Sequence, residues 1–166
     1  MMIDDRSNAD LTATIGTVWR GFSDRVMGGV SRETVAPTVI EGRNCVRLTG
    51  KVSLENNGGF IQMALDLSRD GLLDASAYSG LRLLVRGNGE EYNVHLRTPD
   101  TVRPWQSYRA SFNATESWQE IRLPFAEFQP YRLDTPLDVS RLRRLGVVAI
   151  GRPFQADLCV AEISLY

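Results

Sequence analysis

His95 is the only histidine in the chain. Any mechanism that needs an imidazole base at neutral pH must pass through it, as a Ser-His-Asp or Cys-His pair would. Its surroundings point elsewhere. In Tyr92-Asn93-Val94-His95-Leu96-Arg97, apolar and polar residues alternate. A strand with that period sets Tyr92, Val94 and Leu96 on one face and Asn93, His95 and Arg97 on the other. A cation beside an imidazole disfavours its protonated form. The triplet reads as an ordinary polar sheet face, with a sugar- or peptide-binding face as the sharper alternative.

Other chemistries find less support. Glycoside hydrolysis needs two carboxylates at a fixed separation, but Glu55, Glu90, Glu91, Glu116, Glu120 and Glu127 fall mostly at turns or strand ends. Zinc needs clustered thiolate and imidazole ligands. Cys45, Cys159 and His95 are the whole supply and lie far apart in sequence. No cofactor is expected, and nothing in the sequence asks for a calcium ion. Arg86-Gly87-Asn88-Gly89 lacks the third glycine and following helix of a dinucleotide fingerprint. It reads as a hairpin turn with Asn-Gly at its tip.

Two glycine-pair turns remain: Ser23-Asp24-Arg25-Val26-Met27-Gly28-Gly29-Val30-Ser31 and Asn56-Asn57-Gly58-Gly59-Phe60. Glycine pairs supply positive φ and let another chain approach the backbone closely. Trp105 follows the turn signal Arg103-Pro104 and stands near Tyr108. Aromatic residues in or beside a loop can anchor a partner or stack on a sugar ring.

The elements that must position these residues read as strands. Cys45 to Gly50, Leu81 to Arg86 and Tyr92 to Arg97 alternate. Tyr108, Ala110 and Phe112 line one side of another strand. Trp118 to Leu123 forms the next and stops at Pro124. Gly146 to Gly151 is continuously apolar, as in a strand covered on both faces, and Leu158, Val160, Ile163 and Leu165 close the chain. About nine or ten strands separated by Gly, Pro, Asn and Asp predict an all-β sandwich or barrel. Short helical turns are expected at Phe125–Phe128 and Ser140–Arg144, the second capped by Asp138 or Ser140. Residues 1–13 are polar and expected to be loose, leaving 14–166 as a single domain.

Composition agrees with one globular domain: 166 residues, 43% apolar, 23% charged, net charge −1. That balance excludes a general nucleic-acid binder, which shows a strongly basic face. There is no apolar run long enough to span a membrane. The N-terminus has no signal-peptide pattern. The basic residues are nearly all arginine, with Lys51 the single lysine. Two cysteines form no disulfide framework and read as buried free thiols. Whether they meet is left open.

Beyond single motifs, the order of blocks resembles one family. Trp19 with Ser23 to Ser31, then Gly50-Lys51-Val52-Ser53-Leu54-Glu55-Asn56-Asn57-Gly58-Gly59-Phe60, is similar to the most distinctive stretches of the complex I intermediate-associated protein 30 family. Tyr78 to Tyr92, then Trp105, Tyr108 and Phe112, then Trp118 to Phe128, Leu145-Gly146 and Ile163 to Tyr166 follow in the same order. The resemblance implies a galactose-binding-like β-sandwich (jelly roll). It also implies a non-enzymatic, chaperone-like role in assembling a membrane complex of the respiratory complex I type. The expected partner is a protein subunit or assembly intermediate, met in the cytoplasm or at the edge of the membrane complex. The contacts expected for it are Asp24, Arg25, Met27, Gly28 and Gly29, then Asn56, Asn57, Gly58, Gly59 and Phe60, with Trp105 and Tyr108. The alternative is a module for a carbohydrate or other small ligand. There Asn93, His95 and Arg97 share a cleft with Arg82 and Arg86 from a neighbouring strand.

Overall fold

The computed structural model describes residues 1–166 as a two-layer β-sandwich. Its twelve strands are β1 (Met2–Asp4), β2 (Arg20–Ser23), β3 (Arg32–Ile40), β4 (Arg43–Val52), β5 (Phe60–Asp66), β6 (Gly80–Arg86), β7 (Glu91–Arg97), β8 (Ser107–Asn113), β9 (Gln119–Pro124), β10 (Gln129–Tyr131), β11 (Arg144–Ile150) and β12 (Phe154–Leu165). The excess over the expected number comes from the short strands β1, β2 and β10, too brief to show a period. The first sheet runs β3-β4-β12-β6-β9, with β1 added against β12. The second runs β10-β8-β7-β11-β5-β2. All pairings are antiparallel.

Alternation decides which side chains fill the space between the layers. Tyr92, Val94 and Leu96 of β7 are fully buried, as are Leu48 of β4, Leu83 of β6 and Val147 of β11. They belong to one contiguous apolar core of 32 residues. Its burial is the main driving force for the fold. The strands β3 and β4 close through Glu41-Gly42, both at positive φ, the geometry of a two-residue hairpin turn. The turn Phe125–Glu127 forms where it was expected, and Val139–Arg141 forms with Asp138 accepting from the Ser140 nitrogen at 3.0 Å.

Two expectations need correction. The first residues are not loose: β1 pairs with β12, and Ile3, Asp4 and Arg6 are buried. Asp4 accepts from the Trp19 indole at 2.7 Å and from the Arg6 guanidinium at 2.9 Å, tying the segment to the core. Gly87–Glu90 is not a hairpin turn, because β6 and β7 lie in different sheets. The segment carries the chain across the sandwich, and Asn88 braces it by accepting from the Tyr92 hydroxyl at 2.6 Å and donating to the Gln155 carbonyl at 2.9 Å. The two glycine-pair turns contain short 3-10 turns, Asp24–Met27 and Glu55–Asn57, that periodicity does not reveal.

Cys45 and Cys159 are free, buried thiols that share a small cluster with Ala161 on the outer side of the first sheet.

Candidate functional site

The outer face of the second sheet is hollow. Across its centre, His95 of β7 stands opposite Gly146 of β11, which in turn stands opposite Ala64 of β5. Gly146 and Ala64 keep the floor low, and the Gln62 side chain lies across it: a Cβ on Gly146 would meet its amide oxygen at 2.6 Å. Around that floor opens a cleft of about 600 Å³, within the usual range for ligand sites.

Two walls close it. At the end where β2 and β11 finish and β5 begins, both glycine-pair turns rise and present Val26, Met27, Leu54, Asn57, Gly58 and Gly59. At the opposite end, where β7 finishes and β8 begins, stand Pro104, Trp105 and Gln106, with Tyr131 of β10. The cleft therefore runs from one end of the sheet to the other, as a site for an extended ligand would. Its rim is apolar and wet: Val26 is 72% exposed, and Trp105 and Met27 are each 52% exposed.

Each wall is held by one buried or half-buried charge. Asp24 is fully buried beneath the glycine turns. Its carboxylate accepts from the main-chain nitrogens of Ser31 at 2.9 Å, Gly59 at 2.6 Å and Phe60 at 3.2 Å, and from the Ser31 hydroxyl. Burial pushes its pKa up, but the hydrogen bonds from Ser31, Gly59 and Phe60 outweigh it and hold the group below its ordinary value. Arg97 holds the other wall. Its guanidinium donates to the carbonyls of Thr101 and Gln106 at 2.8 Å, of Pro104 at 3.0 Å and of Arg103 at 3.2 Å. That fixes the loop carrying Trp105.

Between the walls lie His95 and Arg109, directly paired across β7 and β8. Burial, with Arg109 and Arg97 nearby, drives the His95 pKa down to about 3. The imidazole is neutral, and its Nε2 is buried without a hydrogen-bond partner. Arg109 lies over the Tyr131 ring at 3.6 Å and donates from Nε to the Ser107 hydroxyl at 2.8 Å.

The structure thus brings Met27, Asn57, Gly58, Gly59, Phe60 and Trp105 to the same cleft as His95 and Arg97. Asn93 shares the face of His95. Asp24 and Gly29 lie beneath it, and Gly28 and Asn56 are exposed outside its lining. Arg25 pairs with Glu33 at 3.2 Å beside it. Tyr108 points into the core and donates to the Thr135 carbonyl at 2.7 Å, so it presents no surface to a partner. Arg82 and Arg86 belong to β6 in the other sheet and cannot share the cleft. They pair there with Glu162 and with Glu41. Sequence reasoning missed Arg109, Tyr131 and Gly146. The alternation that turns Tyr108, Ala110 and Phe112 inward already turns Arg109 outward.

No group of three or more His, Cys, Asp or Glu residues is placed to hold a metal ion, and no helix is long and apolar enough to cross a membrane.

Comparison with known proteins bears on both fold and family. The family model described as complex I intermediate-associated protein 30 matches residues 8–160. No curated protein matches the sequence significantly. Among solved structures, a family 11 carbohydrate-binding module from Clostridium thermocellum, in complex with a beta-1,3-1,4-mixed-linked tetrasaccharide, superposes with a TM-score of 0.74 at 18% identity. The match covers 99% of this chain and 93% of that one. A family 30 carbohydrate-binding module of a cellulosomal cellulase from Clostridium thermocellum gives 0.66 at 15% identity, covering 99% and 97%. At such identities the likeness is one of fold: the same β-sandwich.

Proposed function

The chain belongs to the complex I intermediate-associated protein 30 family, and from that premise we propose that it is a non-catalytic assembly factor. In this reading it holds a subunit or intermediate of a membrane complex of the respiratory complex I type in the cleft on the second sheet. Its place of work is the cytoplasm, at the edge of the membrane complex. One observation carries the choice of site: the glycine turns and Trp105, separated in sequence, form the two walls of one cleft of about 600 Å³ with an exposed apolar rim. Large apolar side chains standing in water mark interaction surfaces, and exposed aromatics at a cleft are the usual anchors. The site offers no nucleophile beside a base. Its only histidine is neutral and flanked by cations, which supports a binding role.

The test is capture of the tagged protein from crosslinked native membranes. Subunits of a respiratory or other membrane complex should be enriched with the wild type and lost with Trp105→Ala, whose side chain is half exposed and so dispensable for folding. Equal capture by wild type and variant would remove the cleft from this role.

A carbohydrate ligand is the second reading, favoured by the carbohydrate-binding modules that share the fold. Titration with mixed-linked glucan oligosaccharides tests it. A melting shift that Trp105→Ala abolishes would support it, and a flat profile would sink it.

A further inference from the structure

The charge in the cleft is one-sided. Arg97, Arg109 and Arg144 contribute to its lining, and not one Asp or Glu does, although the chain as a whole carries a net charge of −1. Arg144 is neutralised from outside the cleft by Asp66 at 2.8 Å. Arg97 gives its guanidinium to main-chain carbonyls, which leave its charge uncompensated. Arg109 is fixed by the Tyr131 ring and the Ser107 hydroxyl through Nε, while its terminal nitrogens meet no protein acceptor. Beside it, the buried His95 Nε2 also lacks a partner. Buried polar atoms are normally satisfied, so an unpartnered ring nitrogen beside unpartnered guanidinium nitrogens in an open cleft favours a ligand with polar atoms.

We propose that the cleft takes an acidic segment of a partner polypeptide, with a carboxylate seated between Arg109 and His95 and apolar neighbours packed against Met27, Leu54 and Trp105. This rests on the assembly-factor reading above and names the chemistry its client must present. A guanidinium held by a ring and a hydroxyl is a pre-aimed fork, matched to the two oxygens of a carboxylate. Neutral His95 has one N–H to add to it. A neutral sugar fits less well. Its hydroxyls can meet the amides of Asn57, Gln62 and Gln106, but it brings no charge to match the uncompensated arginines. The glycine-turn wall is aliphatic, through Val26, Met27 and Leu54, and the aromatic Trp105 and Tyr131 stand at the far end, a spacing that suits side chains along an extended peptide.

Four probes separate the possibilities: a decapeptide alternating Leu and Glu, its Leu/Gln counterpart, its Leu/Lys counterpart, and a galacturonate hexamer. Binding is read by tryptophan fluorescence and by the NMR signal of the single histidine. The Leu/Glu peptide is expected to bind about 10-fold more tightly than Leu/Gln, the value of one hydrogen-bonded charge pair, with Leu/Lys not binding. Arg109→Gln is expected to bring the Glu-to-Gln ratio near unity. Arg109→Lys, which keeps the charge and loses the fork, should recover only part of the ratio. Equal binding of Leu/Glu and Leu/Gln by the wild type overturns the carboxylate assignment and leaves the cleft as a client site. Tight binding of the galacturonate alone overturns the polypeptide assignment. Silence from all four probes, together with client capture that ignores Trp105→Ala, overturns the cleft reading itself.

Discussion

The Asp24 carboxylate accepts a hydrogen bond from the Gly59 main-chain nitrogen at 2.6 Å, across 35 residues of sequence. That contact explains why two glycine-pair turns occur in one chain. Both are moulded on the same buried acid. A Cβ on Gly29 would stand 2.4 Å from its Oδ1, and one on Gly58 would stand 2.5 Å from its Oδ2. Neither residue has positive φ, so what they supply is room.

Gly28 is the internal control. It has φ of +87° and open space around the position of a Cβ. Gly28→Ala is expected to cost only the left-handed backbone strain, about 1 kcal/mol. Gly29→Ala and Gly58→Ala displace a buried, fully bonded carboxylate and are expected to cost about 3 kcal/mol each. Chemical denaturation of the three variants checks the order. A Gly28 variant as damaging as the other two would refute the packing explanation.

Asp24 also sets an acid limit. Its folded-state pKa lies below the ordinary value of 3.8, so the native state holds the charged form more strongly than the unfolded chain does. The stability it contributes is present above pH 3.8 and is lost as pH falls through the lower folded value. Asp24→Asn turns an amide N–H toward donors and is expected to destabilise the protein at neutral pH. It should also flatten the stability loss below pH 4. Urea midpoints measured from pH 7 down to pH 3 test both.

Much of this arrangement was legible because strand alternation is local. The face carrying Asn93, His95 and Arg97 follows from a period of two, and the glycine pairs mark both turns by composition, with the family resemblance resting on the same stretches. The same alternation placed Tyr108 with Ala110 and Phe112 on the inner side, so its assignment to a partner surface conflicted with its own pattern. Which sheet a strand joins is not local. Gly87-Asn88-Gly89 has the composition of a hairpin tip but carries a crossover, and that one difference moved Arg82 and Arg86 to the opposite side of the sandwich. The burial of Asp24 was also hidden, because a polar residue in a glycine turn reads as exposed until its partners on the other turn are known.

Arg97 is expected to act through the loop it clamps. Arg97→Lys keeps a cation but cannot reach four carbonyls from a rigid fork. Amide exchange across Thr101–Gln106 should accelerate about 10-fold or more, the loss of roughly one charged hydrogen bond, with β7 and β11 unaffected. Unchanged exchange in that loop would show that Arg97 does not hold Trp105 in place.

The N-terminal segment should behave as part of the domain. Asp4 and Arg6 are 1% and 2% exposed and bonded to each other at 2.9 Å. Removing one member of such a buried pair leaves an uncompensated charge, at about 3 kcal/mol or more. Arg6→Ala is therefore expected to lower the melting temperature clearly, and deletion of residues 1–6 at least as much. A truncated protein with native stability would return the segment to the status of a loose tail.

His95 gives the most direct reading of the site, since a single imidazole signal needs no assignment. Its folded-state pKa of about 3 lies below the ordinary 6.5, chiefly through burial. Between those values the unfolded chain binds a proton that the native state refuses, so stability rises with pH over that window and falls as the solution is acidified below 6.5. The imidazole signal of the free protein is expected to stay at its neutral position down to pH 5, and His95→Gln should remove this part of the pH dependence. A carboxylate bound between Arg109 and His95 would favour the charged imidazole and move its titration upward. An imidazole that titrates near 6.5 in the free protein would mean that the floor of the cleft is open to water and the two arginines are screened from it.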